Sequence, residues 1–291
     1  MHWNNGYIAV DWGTTNRRAY RVGAARPDDW FADDQGVLAV PPGGFAPAVA
    51  EIRQRLGDLP MLLAGMVGSN RGWHEAPYAA CPAGVPEIAA QVRWIDSRTG
   101  IVPGVSQRQP NADVMRGEEV QAIGAVVSGL VPEDALICHP GTHAKWIAMK
   151  AGRIEAFRTV MTGEVFALLS AHSILADQMQ KQAKGGPEFE AGVRESLGGE
   201  PLLSALFRIR ARRLLGDTAG DAASRASGLL IGSEVAAALA EFGSQRVALI
   251  GKPELCQLYA TAIGMAGGEC CVIDGADAFL AGMASLIRTF E

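Results

Sequence analysis

The sequence predicts an α/β protein of two similar lobes with a central cleft and a helical insertion in the second lobe. Three observations carry this prediction. Short apolar runs of strand length alternate with stretches of helical spacing along most of the chain. A strand ending in a Gly-Thr turn opens each half, at Gly13-Thr14 and again 128 residues later at Gly141-Thr142. Hydrophobic residues make up 48% of the 291, too many for a disordered chain and enough for two domains or one large one.

The elements follow in order. Residues 7–10 form an apolar strand that ends in Asp11-Trp12-Gly13-Thr14-Thr15-Asn16. A second extended run spans 18–22, and a third is expected at 36–40 after a polar turn. Val49, Ile52 and Leu56 have helical spacing, and 61–64 is a short buried strand. The second half repeats the order, with strands at 135–138, 145–149 and 153–161, then helices. A strand at 246–250, a helix over 254–265, a strand at 270–273 and a last helix close the chain. The halves share almost no residues, so the repeat lies in element order. Two such lobes would hold a small molecule in the cleft between them. The boundaries read as 1–130, rejoined by 274–291, and 131–273.

Residues 176–243 break the repeat as an Ala/Leu/Arg-rich helical insertion, with turns at 184–187 and 197–201. Its cluster of Arg208, Arg210, Arg212 and Arg213 reads as a solvated helix face paired with nearby acids. Its isolated apolar residues serve core burial or support a homodimer.

Composition excludes several functions. With 26 Lys and Arg against 31 Asp and Glu, the net charge of −5 and the absence of long basic runs disfavour nucleic acid or anionic membrane as partner. No run approaches the roughly 18 apolar residues of a membrane span. Met1-His2-Trp3-Asn4-Asn5 has no signal-peptide blocks, and five cysteines without metal spacing suit reduced thiols in a cytoplasm. The 35 glycines exceed the usual share of about 7% and need an explanation. Gly13, Gly65, Gly68, Gly117, Gly141, Gly163, Gly232 and Gly251 are expected at turns or helix ends near the cleft.

Five segments offer chemistry. A carboxylate at a buried strand end, Asp11, can hold a divalent metal directly or through water. Gly13 turns the backbone, and Thr14 and Thr15 offer hydroxyl and N–H donors to phosphate; an ordinary polar hairpin is the other reading. His139-Pro140-Gly141-Thr142-His143 repeats the motif, so two hairpins could grip a polyphosphate. Its two histidines flank a Pro-Gly turn and do not share a helix face, which disfavours a zinc pair. Asp113-Val114-Met115-Arg116-Gly117-Glu118-Glu119 precedes a helical stretch, 120–127. Its carboxylates serve either as helix caps or as a base for an acceptor hydroxyl. Ser69, Asn70, Arg71 and Trp73 follow a strand and suit a polar small molecule, with Arg71 able to grip a carboxylate bidentately; a plain surface loop is the alternative. Gly251-Lys252-Pro253 permits close approach of a flat ligand such as adenine. No dinucleotide fingerprint, P-loop or hydrolase elbow occurs.

Several runs then act together: Val10-Asp11-Trp12-Gly13-Thr14-Thr15-Asn16, Ala64-Gly65-Met66-Val67-Gly68-Ser69 and Asp113-Val114-Met115-Arg116-Gly117-Glu118-Glu119. With Pro140-Gly141-Thr142-His143-Ala144-Lys145-Trp146, Met161-Thr162-Gly163-Glu164 and Ser227-Gly228-Leu229-Leu230-Ile231-Gly232-Ser233-Glu234, the chain resembles the 2-dehydro-3-deoxygalactonokinase family nearly end to end. It is similar in turn to the sugar kinase, heat-shock chaperone and actin superfamily. The resemblance implies two ribonuclease-H-like (actin-like ATPase) lobes. It implies ATP- and Mg²⁺-dependent phosphorylation of the 6-hydroxyl of the sugar acid 2-dehydro-3-deoxy-D-galactonate, in a cytoplasmic catabolic route.

By position, Asp11, Gly13, Thr14 and Thr15 match the first phosphate loop, and Asp11 the metal contact. Gly141, Thr142 and His143 match the second loop, and Gly251 with Pro253 the adenosine segment. Ser69, Asn70, Arg71 and Trp73 fall where relatives contact the acceptor, whose carboxylate meets Arg71 or Arg116. Three departures stand out. His139 or Pro140 replaces an acidic or Thr residue, Lys252 replaces a second glycine, and the usual Asp base has no direct counterpart. Position favours Glu118 as the base and residue type favours Asp113, with Glu119 a third option. Rival readings are a kinase of the same superfamily for another sugar acid or polyol, and a non-catalytic actin-type nucleotide-binding module.

Overall fold

In the computed structural model, residues 3–23, 27–217, 220–243 and 246–291 are described. Met1 and His2 of the N-terminal stretch read above, and Thr218 and Ala219 of the helical segment, lie outside them. The chain divides into two compact units. One comprises Met1–Asp134, Met149–Phe157 and Gly275–Glu291; the other comprises Ala135–Ala148 and Arg158–Asp274.

In the first unit the apolar run at the N-terminus becomes β1 (Tyr7–Trp12), followed by β2 (Arg17–Val22) and β3 (Pro27–Asp33) in an antiparallel meander. The helix α1 (Phe45–Leu56) leads to β4 (Met61–Gly65), which lies parallel to β1 with Trp12 opposite Gly65. Then come β5 (Tyr78–Ala80), α2 (Val85–Ala89), β6 (Arg93–Asp96), β7 (Thr99–Ile101), β8 (Gly104–Gln107), β9 (Asp113–Met115) and α3 (Glu118–Val127). The main sheet runs β3-β2-β1-β4-β7-β6, and β5-β8-β9 form a small sheet of their own. Ile8, Val10, Trp12, Met61 and Leu63 build the core with Val49, Ile52 and Leu56 of α1. Their burial explains the helical spacing of those three residues.

One expected strand is displaced. Residues 36–40 form a turn, and the third strand is β3. Its sequence, Pro-Asp-Asp-Trp-Phe-Ala-Asp, is mostly exposed on the sheet edge, so it lacks the apolar alternation that marks a half-buried strand.

The second unit contains β10 (Ala135–His139) and parts of β11 (Ala144–Lys150) and β12 (Arg153–Val160). It continues with α4 (Thr162–His172), α5 (Pro187–Leu197), α6 (Leu202–Leu214), α7 (Ala222–Phe242), β13 (Arg246–Ile250), α8 (Pro253–Met265) and β14 (Glu269–Ile273). Its sheet is ordered β12-β11-β10-β13-β14, with β10, β13 and β14 parallel. Both main sheets therefore read third, second, first, fourth strand from one edge. The final helix, α9 (Gly275–Ile287), belongs to the first unit, where it packs on α3.

The helices between β12 and β13 have their own apolar cluster, including Leu175, Leu206, Ile209 and Leu229. Gly232 does not lie at a turn, as expected above, but in the middle of α7. A Cβ on Gly228 would fall 2.1 Å from Phe189 O, and one on Gly232 would fall 2.9 Å from Val193 Cα. These glycines let α7 press against α5; they are a packing device. Arg208 pairs with Glu195 and with Glu200, the latter at 2.7 Å, as a solvated helix face would. Among the described residues no helix is long and apolar enough to cross a membrane.

Candidate functional site

The turn after β1 is held from two sides. Gly13 N–H donates to Asn16 O at 2.9 Å, closing the hairpin to β2. The carbonyls of Gly13, Thr14 and Thr15 accept from the N–H groups of Val37, Leu38 and Gly36 at 3.0, 3.2 and 3.3 Å. Gly36 is needed there, since a Cβ would lie 2.4 Å from Thr14 O. Thr14 and Thr15 remain exposed, and their N–H groups take no part in this brace.

Asp11 is half-buried as the penultimate residue of β1, its carboxylate 3.8 Å from Arg18 Nη1. Burial pushes its carboxyl up, Arg18 opposes this, and the charge of Glu118 adds to it. Glu118 arrives on the first turn of α3, behind Gly117. A Cβ on Gly117 (φ +112°) would lie 3.4 Å from Gly65 Cα, and one on Gly65 (φ +91°) would lie 2.9 Å from Trp12 O. The ends of β1 and β4 and the start of α3 thus stack at backbone distance. That stacking brings Asp11 and Glu118 into electrostatic range.

Glu119 turns inward and is fully buried, with Oε2 accepting the Gly117 N–H at 2.6 Å and Oε1 without a hydrogen-bond partner. Burial first, and then the charge of Glu118, push its carboxyl from 4.5 up to about 8. Between those values the folded chain holds a proton that the unfolded chain has lost, so this group lowers stability as pH rises. Glu119→Gln is expected to remove that slope. Unfolding midpoints of variant and wild type measured from pH 5 to 8 should converge at the low end and separate at the high end, with the variant higher; parallel curves would refute it. Asp113, by contrast, lies on β9 with its carboxylate accepting the Val114 N–H at 2.7 Å.

The loop after β4 splits the predicted acceptor residues. Ser69 is buried; its hydroxyl donates to Met66 O at 2.8 Å and accepts from the Arg71 N–H at 3.2 Å, so it serves the turn. Asn70 and Arg71 are exposed, and Trp73 packs half-buried against the first core. Arg116 lies beneath. Its Nη2 donates to Ala76 O at 2.8 Å, its guanidinium sits 4.3 Å over the Tyr78 ring, and its Nε and Nη1 are buried without partners.

In the second unit, Thr142 and His143 are exposed on the turn after β10. His139 is buried below. Burial, with help from Lys145, pushes its imidazole down to about 3, so it is neutral at physiological pH. Gly251, after β13, adjoins this turn, since a Cβ on it would lie 3.3 Å from Pro140 O; Pro253 opens α8. The first turn of α4 presses on the same turn. Glu164 N–H donates to Thr142 O at 3.0 Å, and the Glu164 carboxylate is hydrogen-bonded to His143 Nε2. Behind it, buried Glu234 accepts from Trp146 Nε1 and Tyr259 Oη, each at 2.7 Å, and from the Thr162 hydroxyl. Burial raises the Glu234 carboxyl while those three donors oppose the rise.

Sequence reasoning assigned no role to Glu164, Glu234 or the Gly36 brace. Both glutamates stand in motif runs quoted above, yet their partners are distant in sequence. Among the described residues no group of three or more His, Cys, Asp or Glu is gathered as a metal cage.

Comparison with known proteins makes the chain an enzyme of the kinase class. It belongs to the 2-keto-3-deoxy-galactonokinase family, whose model matches residues 11–286. It is 36% identical over 285 residues to the 2-dehydro-3-deoxygalactonokinase of Escherichia coli (strain K12), covering 96% of this chain and 97% of that one. The crystal structure of a candidate 2-dehydro-3-deoxygalactonokinase from Sinorhizobium meliloti superposes with a TM-score of 0.91 at 34% identity, covering 98% of this chain and 99% of that one.

Proposed function

We propose that the chain transfers the γ-phosphoryl group of ATP to the 6-hydroxyl of 2-dehydro-3-deoxy-D-galactonate, giving the 6-phosphate and ADP in a cytoplasmic route of galactonate breakdown. Family membership over nearly the whole chain supports the substrate. The observation that carries the mechanism is the stacking of the start of α3 on the ends of β1 and β4, which brings Glu118 into the electrostatic range of Asp11 beside the braced Gly13-Thr14-Thr15 turn. The shared strand order of the two main sheets supports the ribonuclease-H-like (actin-like ATPase) reading of both.

In this reading the first unit takes the sugar acid and contacts phosphate, and the second takes ATP. Arg71, exposed, meets the sugar carboxylate with Asn70 beside it, while buried Arg116 and Ser69 keep their loop in shape. Glu118 accepts the proton of the 6-hydroxyl as its oxygen bonds to the γ-phosphorus and the bond to the β–γ bridging oxygen breaks. Thr14, Thr15, Gly141, Thr142 and His143 donate to phosphate oxygens, and Gly251 to Pro253 flank the adenosine. Catalysis then rests on positioning and charge neutralisation more than on covalent chemistry. The Asp11 carboxylate, an accessible hard oxygen donor without an acidic cage, suits Mg²⁺, which usually keeps waters and phosphate oxygens as its other ligands. Bound there, Mg²⁺ would neutralise phosphate charge.

Coupled ADP release across a panel of 2-keto-3-deoxy sugar acids and polyols tests the proposal. The highest kcat/KM is expected with 2-dehydro-3-deoxy-D-galactonate. Turnover of another acceptor alone would reassign the substrate, and ADP binding without turnover of any acceptor would leave a nucleotide-binding module.

A further inference from the structure

We infer that Glu164 is a positioning residue for nucleotide binding: it holds the His143 imidazole by Nε2 so that Nδ1 meets a phosphate oxygen. The inference rests on the reading above that the Gly141-Thr142-His143 turn takes ATP, and it adds the residue through which that turn is set.

Three consecutive residues at the start of α4 engage the turn or its support. The Thr162 hydroxyl donates to buried Glu234. Gly163 lets the backbones meet, since a Cβ on it would lie 2.4 Å from Gly141 O and 2.8 Å from Thr142 Cα. Glu164 N–H donates to Thr142 O at 3.0 Å. Glu234 is itself tied to β11 through Trp146 and to α8 through Tyr259. The start of α4 therefore cannot slide along the turn, and the Glu164 carboxylate is delivered to His143 with a set geometry.

The exposure of the pair indicates its use. His143 is 48% and Glu164 39% exposed, and ion pairs so open to water add little to stability. The arrangement has a chemical purpose instead. A carboxylate accepting from Nε2–H orients the ring, and when both ring nitrogens carry hydrogen the N–H on Nδ1 is a charge-assisted donor suited to a phosphate oxygen. Sequence alone hides this, because 21 residues separate the partners.

A double-mutant cycle on the full chain tests the inference, read by titration with ADP in the presence of Mg²⁺ and by KM for ATP and for the sugar acid. Glu164→Gln is expected to weaken ADP binding and raise KM for ATP about 3- to 10-fold, the loss of roughly one oriented hydrogen bond. KM for the sugar acid and the unfolding midpoint should not move. His143→Gln should weaken ADP binding at least as much, and Glu164→Gln added to it should cost nothing further. Unchanged ADP affinity in Glu164→Gln, or a full additional loss in the His143→Gln background, would overturn the positioning role. The titration needs no turnover, so a wild-type chain that couples the two residues but phosphorylates no acceptor would sink the kinase proposal alone. A wild-type chain that binds no ADP would sink both.

Discussion

Asp11→Asn is expected to cut kcat by at least about 10²-fold, the scale seen when one preorganised electrostatic contact to a transition state is lost. The substitution keeps the shape of the side chain and removes only its charge. Asp11 is half-buried at a strand end, opposite Arg18 in the β1–β2 ladder, and its backbone bonds belong to that ladder. Folding should therefore be untouched, which the unfolding midpoint and circular dichroism would check. Removing the charge does two things in the proposed reaction. It takes away the oxygen donor suited to Mg²⁺, and it removes the neighbour whose charge interacts with that of Glu118. Near-normal turnover in a folded Asp11→Asn chain would end the proposed metal role.

Glu118→Gln is expected to lower kcat about 10²- to 10⁴-fold with little change in KM for ATP, as loss of a general base does. Asp113→Asn should stay within a few-fold of wild type. The contrast is the informative part. Residue type alone points to Asp113, but its carboxylate accepts the N–H of the next residue on β9, whereas Glu118 lies within electrostatic range of Asp11. Glu119 is no substitute. Its carboxylate is buried and holds the Gly117 N–H, which fits a role in fixing the start of α3. A severe loss in Asp113→Asn with a mild one in Glu118→Gln would exchange the two assignments.

Most of what positions these residues is legible in the sequence, because buried parallel strands advertise themselves. The runs that become β1, β4, β10 and β13 are apolar on both faces and end in turn residues, so their ends mark the turns proposed to hold phosphate and the loop proposed to meet the acceptor. Edge and accessory strands give no such signal. β3 is polar because its faces are exposed, and the strands β5 to β9 are three or four residues long, too short to show a period. The apolar Val37-Leu38-Ala39-Val40 run misleads for the opposite reason, since its role is to brace a turn. Gly232 misleads too: glycine serves helix contact and ligand approach by the same absence of a Cβ, and composition cannot tell them apart. Glu164 and Glu234 stay hidden because their roles arise only when α4 meets the turn after β10.

The brace beneath the first turn has a thermodynamic consequence. A slack glycine turn would lose conformational entropy on gripping an anion, at about 1–2 kcal/mol per residue ordered. Here the hydrogen bonds from Gly36, Val37 and Leu38 impose that order while the chain folds, before any ligand arrives. Affinity for the phosphate that this turn is proposed to hold would thereby be partly a property of the free protein. It can drift through residues that never touch a ligand, and it can be tuned by stiffening or loosening the free state without altering one contact in the bound one.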